Sequence, residues 1–244
     1  MNSSIRYIEH CSSIRNKLKK ITFISDTHQS HRKLDGFLPG GDILIHAGDV
    51  MNGGYSVREA VNFLDWFEDI DNYTTKIFIA GNHDRLAQNN PEIWREEVNI
   101  NDTITYLEDE TLHIPDGDIN IYGTPWQPEF CDWAFNLKRG DELKEKWELI
   151  PENTDILITH GPPNGKLDYV QRDMMNVGCH DLMSRINVIK PKINVFGHIH
   201  QAYGYVFDGD THYINASVLG EDYVYRNNPV NVEWDPETNE MIFV

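Results

Sequence analysis

Five short motifs of this 244-residue chain carry side chains that could do chemistry, and each begins where an apolar run stops. They are Asp26-Thr27-His28, Gly48-Asp49, Gly81-Asn82-His83-Asp84, Thr159-His160-Gly161 and Gly197-His198-Ile199-His200. A lone Asp-x-His or Gly-Asp is common at turns, but turns alone do not explain five such motifs in one chain. Carboxylate oxygens, imidazole nitrogens and an amide oxygen suit divalent ions such as Mn, Fe and Zn. The motifs therefore predict a site for two divalent metal ions.

The apolar runs before these motifs are short, rich in Ile and continuous rather than alternating. They cover residues 21–24, 43–45, 77–80, 156–158 and 193–196. Such runs are typical of strands that are covered on both faces of a sheet. Ligands of open α/β sheets bind at the carboxyl ends of the strands, where a rigid strand holds a polar side chain well. We therefore expect the five motifs to gather along one rim.

Helices and hairpins are predicted between these strands. Residues 56–70 have helical spacing behind a capping-box pattern of Ser56 and Glu59, and three weaker helices are expected at 92–98, 141–150 and 180–188. Hairpins are predicted for 111–114 with 119–122, for 203–207 with 212–215, and for 230–234 with 241–244. The class is α/β with mixed sheets. Because no linker or repeat is visible, we expect one domain at residues 21–244 after a lead-in at 1–20.

Composition narrows the class of partner. The formal net charge is −18, with 39 acidic against 21 basic residues, so a long nucleic acid is a poor partner. Cys11, Cys131 and Cys179 are odd in number and lack CxxC spacing, which favours a reducing compartment, and we expect a cytoplasmic protein. No stretch approaches the roughly 20 apolar residues of a membrane span, so no membrane partner is expected. Residues 1–20 have a mildly transit-like composition, but a solvated lead-in is the favoured interpretation.

The ordered motifs resemble the calcineurin-like metallophosphoesterase superfamily, and the resemblance spans nearly the whole chain. Further segments are similar to its class III metallophosphodiesterase branch, in particular to the metallophosphoesterase-domain-containing group. These segments are 44–49, 79–83, 122–126, 135–137, 159–163, 177–179 and 214–217. The resemblance implies a four-layer αββα sandwich, in which two mixed β-sheets are flanked by helices.

The resemblance also implies a division of the metal ligands. Asp26, His28 and His200 would hold one metal, whereas Asn82, His160 and His198 would hold the other. Asp49 would bridge both. The cofactors would be two divalent ions, and Mn, Fe, Zn and Mg all remain open as their identity.

The implied reaction is the hydrolysis of a phosphoester by a hydroxide that bridges the two metals. In the resembled family the His of the Gly-Asn-His-Asp motif faces the substrate, so His83 would stabilise the transition state or protonate the leaving oxygen. Asp84 would orient His83, and Asn82 would also lie against the substrate.

Residues near the motifs bear on the substrate. The segment 50–54 lacks the Asp-Arg-Gly of protein Ser/Thr phosphatases, which favours a phosphodiester monoanion over a monoester dianion. Trp126 could stack on a nucleobase, and a purely packing role for it is equally open. A solvated or salt-bridged Arg85 is favoured over a substrate contact. We expect a small phosphodiester as substrate, and the branch implies 2′,3′- or 3′,5′-cyclic nucleotides.

Two alternatives stay open at this point. A phosphomonoesterase, a pyrophosphatase or a nuclease could use the same ligands, although the acidic composition counts against a nuclease. A non-catalytic metal-binding scaffold is the other alternative, because some relatives of the group carry Gly where this chain has His198. Nothing in the sequence indicates the oligomeric state.

Overall fold

The computed structural model describes residues 18–99 and 103–244. The lead-in predicted at 1–20 lies almost entirely outside this part of the chain, and the domain boundary at residue 21 stays a prediction. The first strand already begins at Lys19, where the backbone pairs with Trp234.

The described residues form sixteen strands. These are β1 Lys19–Ile24, β2 Gly41–His46, β3 Tyr73–Phe78, β4 Ile104–Tyr106, β5 Glu110–Ile114, β6 Ile119–Thr124, β7 Gln127–Pro128, β8 Asn136–Leu137, β9 Ile156–Thr159, β10 Tyr169–Val170, β11 Met175–Asn176, β12 Ile193–Phe196, β13 Gly204–Phe207, β14 His212–Asn215, β15 Val230–Trp234 and β16 Met241–Phe243. The α-helices are α1 Val57–Asp69, α2 Arg85–Asn89, α3 Pro91–Val98, α4 Asp141–Glu148 and α5 His180–Ile189, and short 3-10 turns cover His31–Leu34 and His200–Ala202. No described helix is long and apolar enough to cross a membrane.

Two six-stranded mixed sheets organise these elements. The first has the order β16-β15-β1-β2-β3-β4, and the second has the order β13-β14-β12-β9-β6-β5. In each sheet four neighbouring strands run parallel, whereas β15 and β16 of the first sheet and β13 and β5 of the second pair antiparallel. The five predicted apolar runs are confirmed as β1, β2, β3, β9 and β12, and the three predicted hairpins are present. β3 ends at Phe78, two residues earlier than predicted, because the chain then enters the Gly81–Asp84 loop.

Three apolar clusters show how the layers pack. One cluster fills the space between the sheets, with Ile45 of the first sheet and Ile158 of the second as members. A second covers the outer face of the first sheet with α1, where Phe63 is fully buried. A third covers the outer face of the second sheet with α4 and α5, around Trp147. Each fully buried side chain of this kind contributes roughly 1.5–3 kcal/mol. The predicted four-layer αββα sandwich is confirmed.

The capping box predicted at the start of α1 is wrong. The Ser56 side chain makes no capping hydrogen bond. The Glu59 carboxylate instead accepts the backbone N–H groups of residues 52, 53 and 54 at 3.0, 3.2 and 3.3 Å. Three donors that converge on one oxygen outcompete the single N–H that a capping box would supply. As a result, α1 holds the turn that follows Asp49.

Candidate metal centre

The carboxyl ends of the parallel strands meet at one rim of the sandwich, and the five motifs lie there. An isolated parallel bridge between Ser25 and Ser217 joins the loop after β1 to the loop after β14, which belongs to the other sheet. The Gly197 N–H donates to the His160 carbonyl at 3.0 Å, which ties two further motifs together. The convergence expected from the sequence is therefore present.

One group of candidate ligands consists of Asp26, His28 and His200, whose ligand atoms all lie within 4.8 Å of one another. His200 Nε2 lies 3.2 Å from Asp26 Oδ1 and 3.4 Å from His28 Nε2. Asp26 is held from behind, because its carboxylate accepts the Ser217 hydroxyl at 2.7 Å and the His198 N–H at 3.0 Å. The structure thus brings together the three residues expected at one metal.

A second group surrounds the Asn82 amide oxygen. This oxygen lies 3.0 Å from His160 Nε2 and 2.8 Å from His198 Nδ1. Asp49 lies between the two groups, since its Oδ2 is 3.3 Å from His160 Nε2 and 3.5 Å from His28 Nε2. Its carboxylate therefore lies within reach of both groups of candidate ligands.

The hydrogen bonds of the imidazole rings test whether this donor set fits metal ions. Nδ1 of His28, His160 and His200 lies 3.1, 2.9 and 3.0 Å from the backbone carbonyls of residues 51, 47 and 220, respectively. A carbonyl only accepts, so Nδ1 donates, and in the neutral ring the Nε2 lone pair is left to face the centre. Metal-ligating histidines are oriented by such bonds. Three Nε2 lone pairs that face carboxylate and amide oxygens form a set of acceptors, and divalent cations fit it.

The electrostatics of the site point in the same direction. Burial alone would raise the pKa of Asp26, but the neighbouring His200 holds that pKa well below its usual range. Burial alone would lower the pKa of His160, but Asp49 raises it to about 9, and Asp26 likewise raises that of His200 to about 9. Burial lowers the pKa of His28 to about 4, which favours the neutral ligating form. The carboxylates therefore demand nearby positive charge, which divalent cations can supply.

Four of these residues have a left-handed backbone. The φ angles are 55° for Asp26, 39° for His28, 60° for Asp49 and 66° for His198. Such conformations cost of order 1–3 kcal/mol for non-glycine residues and cluster at functional sites. These backbone conformations direct the side chains after the strand ends toward one common space.

Comparisons with known proteins agree with this geometry. The calcineurin-like phosphoesterase family model matches residues 19–202. The chain belongs to this family. Metallophosphoesterase domain-containing protein 1 of Homo sapiens is 39% identical over 231 residues, which cover 86% of this chain and 69% of that protein. The predicted membership in the metallophosphoesterase-domain-containing group is confirmed, and the protein is a phosphoesterase, a hydrolase.

Solved structures share the fold at low sequence identity. The protein TT1561 of Thermus thermophilus has a TM-score of 0.61 at 14% identity and covers 93% of this chain and 98% of its own. Phosphopantetheinyl hydrolase of Mycobacterium tuberculosis has a TM-score of 0.55 at 16% identity, covering 85% of this chain and 92% of its own. These two likenesses support the fold alone.

In this phosphoesterase His83 lies beside the candidate metal ligands, and its ligand nitrogen is within 4.8 Å of ligand atoms of His28 and Asp49. Asp84 does not orient its ring. The Asp84 carboxylate instead accepts the backbone N–H groups of residues 49, 50, 51 and 81 at 3.0, 3.3, 2.8 and 2.7 Å. Burial, together with the charge of Asp49, raises the pKa of Asp84 to about 7. The His83 ring is held by the Asn52 carbonyl, 2.7 Å from Nδ1. Asp84 fixes the loops that carry the ligands, because four backbone donors surround its carboxylate.

A cavity of about 590 Å³ opens beside the candidate ligands. Asn82 and His83 line it, as expected of residues that contact a substrate, together with Trp133 and Tyr223. Trp126 does not line it. The Trp126 indole donates to Asp109 at 2.9 Å, packs edge-on against Phe135 and has the Lys146 ammonium 4.2 Å from its ring centroid. Because these partners hold the ring in place, its position favours the packing role and gives the stacking role no support.

Four residues of the site had no role assigned from the sequence, although Ser217 ends the segment 214–217 that resembles the family branch. Ser217 binds Asp26, the Asn52 carbonyl binds His83, Tyr223 packs 4.8 Å from the His28 ring, and Trp133 stacks on His83. Ser217 follows a buried strand as the motifs do, and this position is a signal that could have identified it. The other three lie in irregular segments, where the sequence pattern gives no comparable signal.

Proposed function

We propose that this phosphoesterase is a dinuclear metal-dependent phosphodiesterase that hydrolyses small phosphodiesters, with 2′,3′- or 3′,5′-cyclic nucleotides as the leading class. The observation that carries the proposal is the position of Asp49 between two ligand groups. In the proposal, Asp26, His28 and His200 hold one metal and Asn82, His160 and His198 hold the other, and the proximity of the members of each set supports this division.

The residues of the chain have distinct parts in the proposed reaction. Two divalent cations, when bound, supply a strong nucleophile from water at neutral pH and offset the charge on the phosphoryl oxygens. His83 Nδ1 donates to the Asn52 carbonyl, so Nε2 is the atom of this ring that can deliver a proton to the leaving oxygen. Asn82 and His83 both border the cavity in which the ester would lie.

The cavity supports a small substrate. Its volume of about 590 Å³ lies in the range of small-molecule sites, roughly 300–1,000 Å³. Its wall is largely apolar, with Phe130, Trp133 and Val177 as members, and its charged side chains include both the arginines Arg139 and Arg172 and the acids Glu129, Asp173 and Glu221. Such a lining suits a compact ester with one negative charge better than a polyanion.

A substrate panel tests the proposal. Purified protein is given bis-aryl phosphate, mono-aryl phosphate and cyclic nucleotides with Mn²⁺, Mg²⁺, Zn²⁺ or Fe²⁺, beside the variant Asp49→Asn. We expect the parent protein to hydrolyse diesters faster than monoesters and to bind about two metals per chain. The variant is expected to lose both the turnover and the bound metal. Preference for the monoester would overturn the diesterase assignment. Bound metal without turnover of any ester would point to the scaffold alternative.

A cytoplasmic location is part of the proposal. The two cysteines in the described residues, exposed Cys131 and buried Cys179, are both free. Free thiols fit a reducing compartment. The net charge of −18 supports a small substrate rather than a long nucleic acid as partner.

A further inference from the structure

Trp133 lies flat against the His83 imidazole. The ring centroids are 4.1 Å apart and the ring planes differ by 26°. Trp133 belongs to the irregular segment 129–135 between β7 and β8, and this segment is tied to the motif loop because the Ala134 N–H donates to the Asn82 carbonyl at 3.0 Å. The segment that carries Trp133 is therefore tied by a backbone hydrogen bond to the loop that carries His83.

Arg85 also contacts the Trp133 ring. Its guanidinium carbon lies 4.7 Å from the Trp133 centroid and 5.1 Å from that of Tyr55, and it donates to the Asp132 carbonyl. No carboxylate in residues 18–99 or 103–244 forms an ion pair with it, and its buried Nε has no hydrogen-bond partner there. Two aromatic faces and the Asp132 carbonyl hold the partly exposed Arg85, and the salt bridge considered from the sequence is absent among the described residues. Cation–π contacts of this kind are worth about 0.5–2 kcal/mol.

These contacts solve an orientation problem at His83. The hydrogen bond from Nδ1 to the Asn52 carbonyl fixes one edge of the ring, and the His28 ring packs edge-on against it at 4.6 Å. The stacked indole at 4.1 Å covers a face of the ring and thereby limits its tilt and the direction in which Nε2 points. Orientation of a reacting group contributes strongly to rate, and a misplacement of about 1 Å can cost about 100-fold.

We propose that Trp133 is a positioning residue for His83 and that Arg85 holds the Trp133 ring in place. The proposal rests on the proposed function, in which His83 serves the leaving oxygen. Neither Trp133 nor Arg85 transfers a proton, since the indole has no basic nitrogen and the guanidinium stays charged.

Kinetics on the metal-loaded enzyme give the first test. We expect Trp133→Leu to lower kcat about 10- to 100-fold with KM little changed, and Trp133→Phe to restore most of the rate because a flat ring is kept. The loss is expected to be larger for an alkyl leaving group than for a nitrophenolate, which needs little help from an acid. Arg85→Met is expected to lower kcat less than Trp133→Leu does. The control Arg95→Met removes a cation–π contact, 5.6 Å from the Tyr106 centroid, together with the ion pairs to Glu108 and Glu110, at a residue that does not line the cavity, and it is expected to leave kcat unchanged.

A double-mutant cycle separates positioning from substrate contact. If Trp133 acts through His83, adding Trp133→Leu to His83→Ala costs nothing further. Additive losses, or a raised KM with unchanged kcat in Trp133→Leu, would overturn the proposal and make Trp133 a substrate contact. An unfolding midpoint that falls in parallel with kcat, in Trp133→Leu and Trp133→Phe alike, would make its role structural.

NMR of the metal-free protein gives a readout that does not depend on activity. The His83 Cε1–H resonance is identified by its loss in His83→Ala, and ring current from the stacked indole is expected to shift it upfield. Trp133→Leu should abolish this shift and Arg85→Met should reduce it. An unchanged resonance would contradict the proposal. If Trp133→Leu abolishes the upfield shift but the parent protein hydrolyses no diester, the stacking of Trp133 on His83 is supported and the proposed function is contradicted.

Discussion

A single substitution tests whether His83 acts apart from the candidate metal ligands, since its ligand nitrogen lies within 4.8 Å of ligand atoms of His28 and Asp49. His83 borders the cavity and hydrogen-bonds the Asn52 carbonyl, whereas Asp49, Asn82 and His160 converge without its imidazole. We therefore expect His83→Ala to keep its metal affinity and to lose about 100- to 10,000-fold in kcat. Calorimetric titration with Mn²⁺ beside steady-state kinetics makes the measurement. Loss of metal in proportion to activity would show instead that the ring supports the ligands.

Asp84 is expected to behave in the opposite way. Its carboxylate accepts four backbone N–H groups, and Asp84→Asn would turn an amide NH₂ toward donors that need an acceptor. A buried unsatisfied donor costs about 1–3 kcal/mol. We expect a lower free energy of unfolding together with weaker metal binding, measured by urea denaturation of the metal-free and metal-loaded protein. Full stability with a reduced rate alone would support the catalytic role expected from the sequence.

Helix α1 acts on the site through its first turn. The Glu59 carboxylate accepts hydrogen bonds from three N–H groups of the turn at residues 52–54. The Asn52 carbonyl of that turn accepts a hydrogen bond from the His83 ring. We expect Glu59→Ala to lower kcat about tenfold with metal affinity retained, because the turn loses its anchor. Glu59→Gln should be intermediate, since a neutral amide oxygen accepts less strongly. Glu96→Ala on α3 is the matched control, and an equal loss in that variant would refute the link.

At the level of elements, the sequence predicted the core strands well and the hydrogen bonds at the start of helix α1 less well. Continuous Ile-rich runs identify strands such as β2 and β9 because burial on both faces leaves no alternation to misread. The capping box at Ser56 failed because Glu59 found three backbone donors that no local pattern reveals. Local spacing reports on neighbours along the chain, whereas these bonds depend on how a loop returns to the helix.

Across the whole molecule the site depends on two sheets meeting at one edge. The motifs after β1, β2 and β3 come from the first sheet, and those after β9 and β12 come from the second. The convergence of the candidate metal ligands was predictable, since rigid strand ends carry them. The environment of His83 was not predictable, because it depends on the irregular segment 129–135. Trp126 and Trp133 are both aromatic and only seven residues apart, yet only Trp133 lines the cavity.

His31 links the stability of the whole domain to pH. Burial, and then the charge of Arg32, lowers its pKa from 6.5 to about 4, and its ring packs against Phe63 and Trp66. Below pH 6.5 the His31 imidazole of the unfolded chain is protonated, whereas that of the folded protein stays neutral until about pH 4. Stability from this residue is therefore complete above pH 6.5 and is lost as the pH falls toward 4.

His31→Phe removes the titrating group and keeps an aromatic ring in the same apolar contact. As the pH falls from 7.5 to 5, the unfolding free energy of the variant should increase by about 2 kcal/mol relative to that of the parent protein. The difference grows by about 1.4 kcal/mol for each pH unit below 6.5. Urea denaturation in the presence of a chelator makes the comparison, so that protons competing with metal ions at the rim do not contribute. Equal pH slopes in the two proteins would mean that His31 accepts its proton in the folded state as readily as in the unfolded chain.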